Sequence, residues 1–476
     1  MLVTAILGIL IALFAMFTLG NWRRGVYFMI IAASLQEPLR KVAEGTPAYF
    51  VLAPVPIFAA MVLGAMGQRG SGMMAEFRRQ QGRVYKAGQL FLFALIPSLL
   101  MTLTYGFDAW KLMLLGSYTY FGLALGILLG FHHGLSRQDL VRLMSFYCVV
   151  VSVMLVGTLF EYMDLQWDVL GPEALGGKWV RMRTGQTIPL LTGFYRGPDI
   201  MGWHAVTMTM MAVTLILVTR GIKRWLCMGA ASWGVISILL CGRRKIAWML
   251  PVFLLVVLVT LWRRGKMGWA LGTSFLLAIT GLGVFFIAAE YEIGSSAMTY
   301  YLDLGPEVSN RIETSGIHSP KGALLKDAGP FGKGVGTATQ GKRHLGVSGP
   351  RTWRESGAGK MAVELGWVGF GALTVVGLML LISMFRILNN VNLTGGRDMV
   401  FAGLVGMFLA NVGSFAIAGQ VLGDPFIGAF FAILIGMALS WHRLRAQPQT
   451  QYLSAESPPQ SSRGRNEPRG RRTKPA

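Results

Sequence analysis

The 476-residue chain is 53% hydrophobic and only 14% charged, with a mean hydropathy of +0.52. That charged fraction lies well below the ~25% of soluble globular domains and excludes that class. The formal charge of +22 does not mark a nucleic-acid binder, because Lys and Arg fall in short clusters between apolar runs and in the final tail, as the positive-inside rule places them.

Apolar runs of about 18–22 residues recur along the chain, enough to cross a ~30 Å hydrocarbon core as helices, and they lack the alternation of a β-barrel. The expected fold is all-α: a polytopic membrane helix bundle with about 12–13 transmembrane helices and a large, partly helical external loop. Residues 1–441 form the bundle and 442–476 a disordered, basic cytoplasmic tail. Met1 to Leu19 lacks a basic leader and a cleavage site, and reads as a retained first helix ending at Asn21-Trp-Arg-Arg-Gly25.

A second, shorter run, Val26 to Leu35, closes with Gln36-Glu-Pro-Leu-Arg-Lys41, and a third covers 48–66. The connector carrying Arg69, Arg78, Arg79, Arg83 and Lys86 is cytoplasmic by its charge. Helices are expected at 88–105, 111–131 and 143–160, with His132-His133 as bystanders in a cytoplasmic loop. Alternation puts loop 161–199 outside. Helices at 200–219, 225–241, 246–262 and 267–289 follow, then external loop 290–360, then helices at 361–385, 399–418 and 424–441. The three cysteines, Cys148, Cys227 and Cys241, fall in or beside apolar segments and read as packed thiols.

Loop 290–360 is longer than a connector needs and rich in aromatics and glycines, so it reads as a folded loop carrying part of a site. Within it, Gly332 to Gly336 is either an anion-binding nest or a plain turn. Glu364 is positioned to pair with Lys360 one helical turn away. Arg243, Arg244 and Lys245 break the charge rule by lying at an outward turn. Two readings stand: headgroup snorkelling, or a site for a phosphorylated group, which the planar guanidinium fork binds bidentately.

Taken together, several runs resemble the O-antigen ligase/polymerase-like family of polytopic membrane glycosyltransferases. Gln36-Glu-Pro-Leu-Arg-Lys41 is similar to an early family signature, and Arg196-Gly-Pro-Asp-Ile-Met-Gly202 to an Arg/Gly segment where Asn is more usual than Asp199. Leu240-Cys-Gly-Arg-Arg-Lys-Ile-Ala-Trp248 resembles the family's Ser-Arg turn without its Ser. Arg311 followed by Gly329-Pro-Phe-Gly-Lys-Gly-Val-Gly336 looks like its large-loop pattern. Glu355-Ser356 followed by Glu364-Leu-Gly-Trp-Val-Gly369 stands where the family has His-Asn and then Glu-x-Gly-x-x-Gly.

The resemblance spans about residues 36 to 370. It implies a glycosyltransferase without metal or other cofactor, acting at the outer face of the bacterial cytoplasmic membrane on undecaprenyl-diphosphate-linked glycan. Partners would be that lipid-linked glycan, membrane lipids and other polysaccharide synthesis or export proteins. Arg196, Arg243, Arg244 and Arg311 would neutralise the leaving diphosphate, and Glu355, or its rival His344, would take the acceptor hydroxyl proton. Polymerase is the preferred activity. Ligation to another lipid, transport of the lipid-linked glycan without chemistry, and a non-catalytic export component are the alternatives.

Overall fold

A computed structural model of the chain describes residues 2–134, 136–171, 175, 179–183, 186–265, 268, 272, 312–339, 341–342, 345–347, 350, 352, 356–391, 398–417, 419 and 423–445. Apart from Gly268 and Gly272, the expected helix at 267–289 lies outside the described residues, as do the loop segment 290–311 and the tail from 446.

The bundle begins with α1 (Leu2–Gly20), α2 (Gly25–Val42), α3 (Pro54–Arg69), α4 (Gly72–Gln80), α5 (Gly82–Leu103), α6 (Trp110–His133) and α7 (Arg137–Tyr162). It continues with α8 (Pro198–Val218), α9 (Ile222–Leu240), the short α10 (Arg244–Ala247) and α11 (Met249–Trp262). After a short α12 (Ser319–Gly322) come α13 (Gly357–Val391), α14 (Met399–Ile417), α15 (Pro425–Leu439) and α16 (Trp441–Arg445). Among the described residues nine helical runs are long and apolar enough to cross a membrane, and α2, α9 and α14 pack among them. The chain is therefore an all-α, multi-pass membrane bundle.

Local chemistry explains several boundaries. Ser136 and Asp139 form a reciprocal capping box that starts α7. Asp424 caps α15 by accepting from the Ile427 N–H at 2.9 Å, with Pro425 in the first turn, where its missing N–H costs nothing. The tightest pairing is α6 against α15. A Cβ at Gly126 would sit 2.7 Å from the Ala432 Cβ, and one at Gly436 would sit 2.6 Å from the Phe131 N. Small residues let backbones approach where lipid supplies no hydrophobic drive between helices.

Three expectations need correction. α2 does not stop at Leu35 but runs on through Pro38 to Val42, so the Gln36–Lys41 motif is helical. The basic connector 69–86 contains α4, which buries Met73 and Phe77 on one face, because that face finds apolar neighbours while Arg78 and Arg79 stay exposed. His132 and His133 are not loop residues; they are the buried last residues of α6. Loop 161–199 also holds a short hairpin, β1 (Val180–Arg183) against β2 (Gln186–Pro189), antiparallel, with Val180 opposite Pro189.

The glycine run resolves as a structural turn. α13 is broken at Gly366 (φ 67°, ψ −169°), and residues 329–338 insert at the break. The N–H groups of Trp367 and Val368 donate to Gly329 and Pro330 carbonyls, both at 3.2 Å. Lys333 N–H donates to Val363 O at 2.8 Å and Gly334 N–H to Glu364 O at 3.2 Å. The inserted segment thus satisfies backbone groups that the helix break frees, the condition for a broken helix at membrane depth. With the N–H of Val335 spent on Ser98 O, these donors are not available to an anion.

Candidate functional site

The first turn of α8 gathers polar residues from distant parts of the chain at one end of the bundle. Arg196, just before that turn, forms ion pairs with Glu37 near the end of α2 and with Asp424 at the start of α15. Its backbone N–H also donates to Glu37 at 2.9 Å, and Gln36 donates to the same carboxylate at 2.7 Å. Lys41 donates to the Gly193 carbonyl at 2.8 Å, and the Glu161 carboxylate accepts from the N–H groups of Thr192 and Gly193. Segment 192–196 is therefore held from α2, α7 and α15 at once.

The pairing is buried. The side chains of Glu37 and Asp424 are 3% and 6% exposed and that of Arg196 17%. Burial opposes the Arg196 charge, but Glu37 and Asp424 outweigh it and hold the guanidinium pKa above its ordinary value. Arg196 stays cationic and is committed to two carboxylates.

One turn further on, Asp199 receives the cations of the 243–245 turn. Arg243 Nη2 lies 3.2 Å and Lys245 Nζ 2.7 Å from its carboxylate. Two cations on one carboxylate leave this trio with a net positive charge, next to the positive end of α8. The Arg243 guanidinium also lies over the Trp179 ring at 5.6 Å, and Trp179 itself is partly exposed. An anion meeting this edge would find charge in excess and a fork already oriented.

Below the turn, His204 is packed face-on between Tyr195 and Phe426 and shares a 2.8 Å hydrogen bond with the Tyr147 hydroxyl. The arrangement is a satisfied aromatic stack that stiffens the base of the site.

The structure thus brings Arg196 and Arg243 to one end of the bundle, joined through α8. Arg244 opens α10, and its side chain lies outside what is described. Arg311, Glu355 and His344 lie outside the described residues. Glu364 does not pair with Lys360. It is fully buried, accepting from the Tyr120 hydroxyl at 2.7 Å and the Ala338 N–H at 3.0 Å, so it fastens the inserted glycine segment to α6.

Glu37, Lys41 and Asp199 fall inside motifs of the sequence with no local signal for their roles, and Asp424, Glu161 and Trp179 lie outside those motifs altogether. The Asp424-Pro425 pair ahead of an apolar run is legible as a helix cap. Its second role, holding Arg196, is not. No family model matches the chain, and no curated protein matches it.

Proposed function

We propose that the chain is an extracytoplasmic glycan polymerase of the bacterial cytoplasmic membrane. It would transfer glycan from an undecaprenyl-diphosphate-linked oligosaccharide to a sugar hydroxyl of an acceptor. The observation that supports this reading is the meeting of three motifs of the sequence resemblance at one turn: Glu37 and Lys41 from the first, Arg196 and Asp199 from the second, Arg243 and Lys245 from the third.

In this reading the acceptor hydroxyl attacks the anomeric carbon, the bond from that carbon to the diphosphate oxygen breaks, and polyprenyl diphosphate leaves. Arg243, with Arg244 and Lys245, meets the charge growing on the leaving group. Arg196, spent on Glu37 and Asp424, positions the turn that presents them. Glu355 or His344 receives the hydroxyl proton, and Arg311 adds a further cation from the large loop.

Arg243→Ala should abolish polymer in cells that depend on this protein, with single lipid-linked repeat units accumulating and protein level unchanged. Arg243→Lys should rescue poorly, because a point charge cannot bind phosphate oxygens as a fork. Full-length polymer left on its lipid carrier would indicate a ligase instead. Normal polymer in both Arg243→Ala and Arg244→Ala, singly and combined, would sink the diphosphate role.

Topology gives a separate check. In a Cys227→Ser background, Asp168→Cys at the Arg196 end should react with a membrane-impermeant thiol reagent in spheroplasts, and Arg78→Cys at the other end should not. Reversed labelling would place the cluster in the cytoplasm and exclude the external reaction.

A further inference from the structure

We propose that the end of the bundle opposite Arg196 holds a binding site for a phosphate-bearing anion, built by Arg23, Arg69 and Arg443 around the end of α6. This inference is independent of the glycan reading. The three arginines come from the turn before α2, from the last residue of α3 and from α16. They converge on one helix terminus. Arg23 Nε donates to His133 O at 3.1 Å, Arg443 donates to Gly134 O, and Arg69 Nη1 lies 3.2 Å from His132 Nδ1. His132 Nε2 in turn faces Met73 O at 3.1 Å, which makes Nε2 the donor and Nδ1 the acceptor for Arg69.

Capping a helix C-terminus with cations is ordinary and accounts for one N–H of each of Arg23 and Arg443. A guanidinium carries five. Arg23 Nη2, Arg443 Nε and His133 Nδ1 are buried with no hydrogen-bond partner among the described residues, and the His133 side chain as a whole is buried. The arginines are fixed on aromatic faces, Arg23 over Trp22 at 4.8 Å and Arg443 over Phe131 at 5.5 Å. They are half-buried rather than splayed into solvent.

Two acids stand nearby, Asp139 acting on Arg23 and Glu76 on Arg443, so three guanidinium groups face two carboxylates. Glu76 lies 3.6 Å from His132 Nδ1. Asp139 holds the Ser136 cap at 2.8 Å and lies 3.6 Å from Arg142. The positive-inside rule asks only for cations near the helix ends, and exposed Arg78, Arg79 and Arg83 already meet it. It does not ask for three more to be desolvated against each other, which is costly without an anion between them. Phosphate oxygens accept strongly from guanidinium N–H groups, and Arg23 Nη2 and Arg443 Nε are unspent among the described residues. Two sources share that chemistry: the headgroup of an anionic phospholipid, as basic pockets between membrane helices take, and free phosphate.

The test uses the full-length protein purified in a neutral detergent. Its thermal midpoint is followed while phosphatidylglycerol, phosphatidylcholine or inorganic phosphate is added. A rise with phosphatidylglycerol alone establishes a lipid site, and a rise with inorganic phosphate establishes a free-anion site. In either case Arg23→Gln/Arg443→Gln should weaken the apparent affinity about tenfold or more, the loss expected for a charged hydrogen bond. Arg78→Gln/Arg79→Gln should leave it unchanged. If the Arg23/Arg443 variant does not fold, Arg69→Gln serves, because among the described residues Arg69 caps no carbonyl and the α6 terminus keeps its Arg23 and Arg443 caps. No rise with either anion, or an equal rise in the Arg69→Gln protein, overturns the proposal.

Discussion

Arg196→Met should lower the stability of the folded bundle by about 3–5 kcal/mol, the usual cost of removing one partner from a buried ion pair. The loss has a specific origin. Glu37 and Asp424 are both buried and both answer to the same guanidinium, so removing it takes from each buried carboxylate its ion-pair partner. Arg196→Lys should recover only part of the loss, because one ammonium cannot bridge two carboxylates that a planar fork spans. Adding Glu37→Gln and Asp424→Asn to Arg196→Met should recover more than Arg196→Lys does, since both carboxylates then carry no charge and Asn still caps α15. Thermal unfolding of the detergent-purified variants reads all of this. A midpoint for Arg196→Met equal to that of the parent would show that the three groups do not form one buried unit.

Gly366→Ala should be the other strongly disruptive change, costing about 3 kcal/mol or more from backbone strain and overpacking together. Gly366 has φ 67° and ψ −169°, a conformation that a residue with a Cβ scarcely adopts. The added carbon would also lie 2.6 Å from Pro330 O and 2.7 Å from Gly329 O. Neither carbonyl can retreat without giving up its bond to the Val368 or Trp367 N–H. The inserted segment 329–338 should then leave its seat. Trypsin cleavage after Lys333 should become fast in the variant and stay slow in the parent. Gly371→Ala is the control. It lies in the same helix, where an added Cβ would meet nothing within 4 Å, and there alanine favours the helix. Equal protease resistance in the two variants would remove the structural role of the break in α13.

The membrane class, the position of most spans and the placement of the Arg243–Lys245 cluster at a turn between two spans follow from the sequence by itself. Each depends on a local property: run length against the hydrocarbon thickness, or charge beside a run. The same holds for the start of α15, because a cap acts within one turn. Partners are a different matter. Glu37 and Arg196 are 159 residues apart, and Arg196 and Asp424 are 228 apart. Which of them meet depends on which helices are neighbours. Hydropathy is nearly blind to that, because lipid and bundle interior are both apolar and a lipid-facing surface looks like a buried one. α1 is largely exposed and α8 is buried from Met201 through Ile216, yet both read as plain apolar runs. For the same reason the glycine run is divided between nest and turn on sequence alone. The Lys333 and Gly334 N–H groups are claimed by a break in α13 that only the packed bundle creates, since a helix is interrupted in a membrane only where another segment stands ready to take its freed hydrogen bonds.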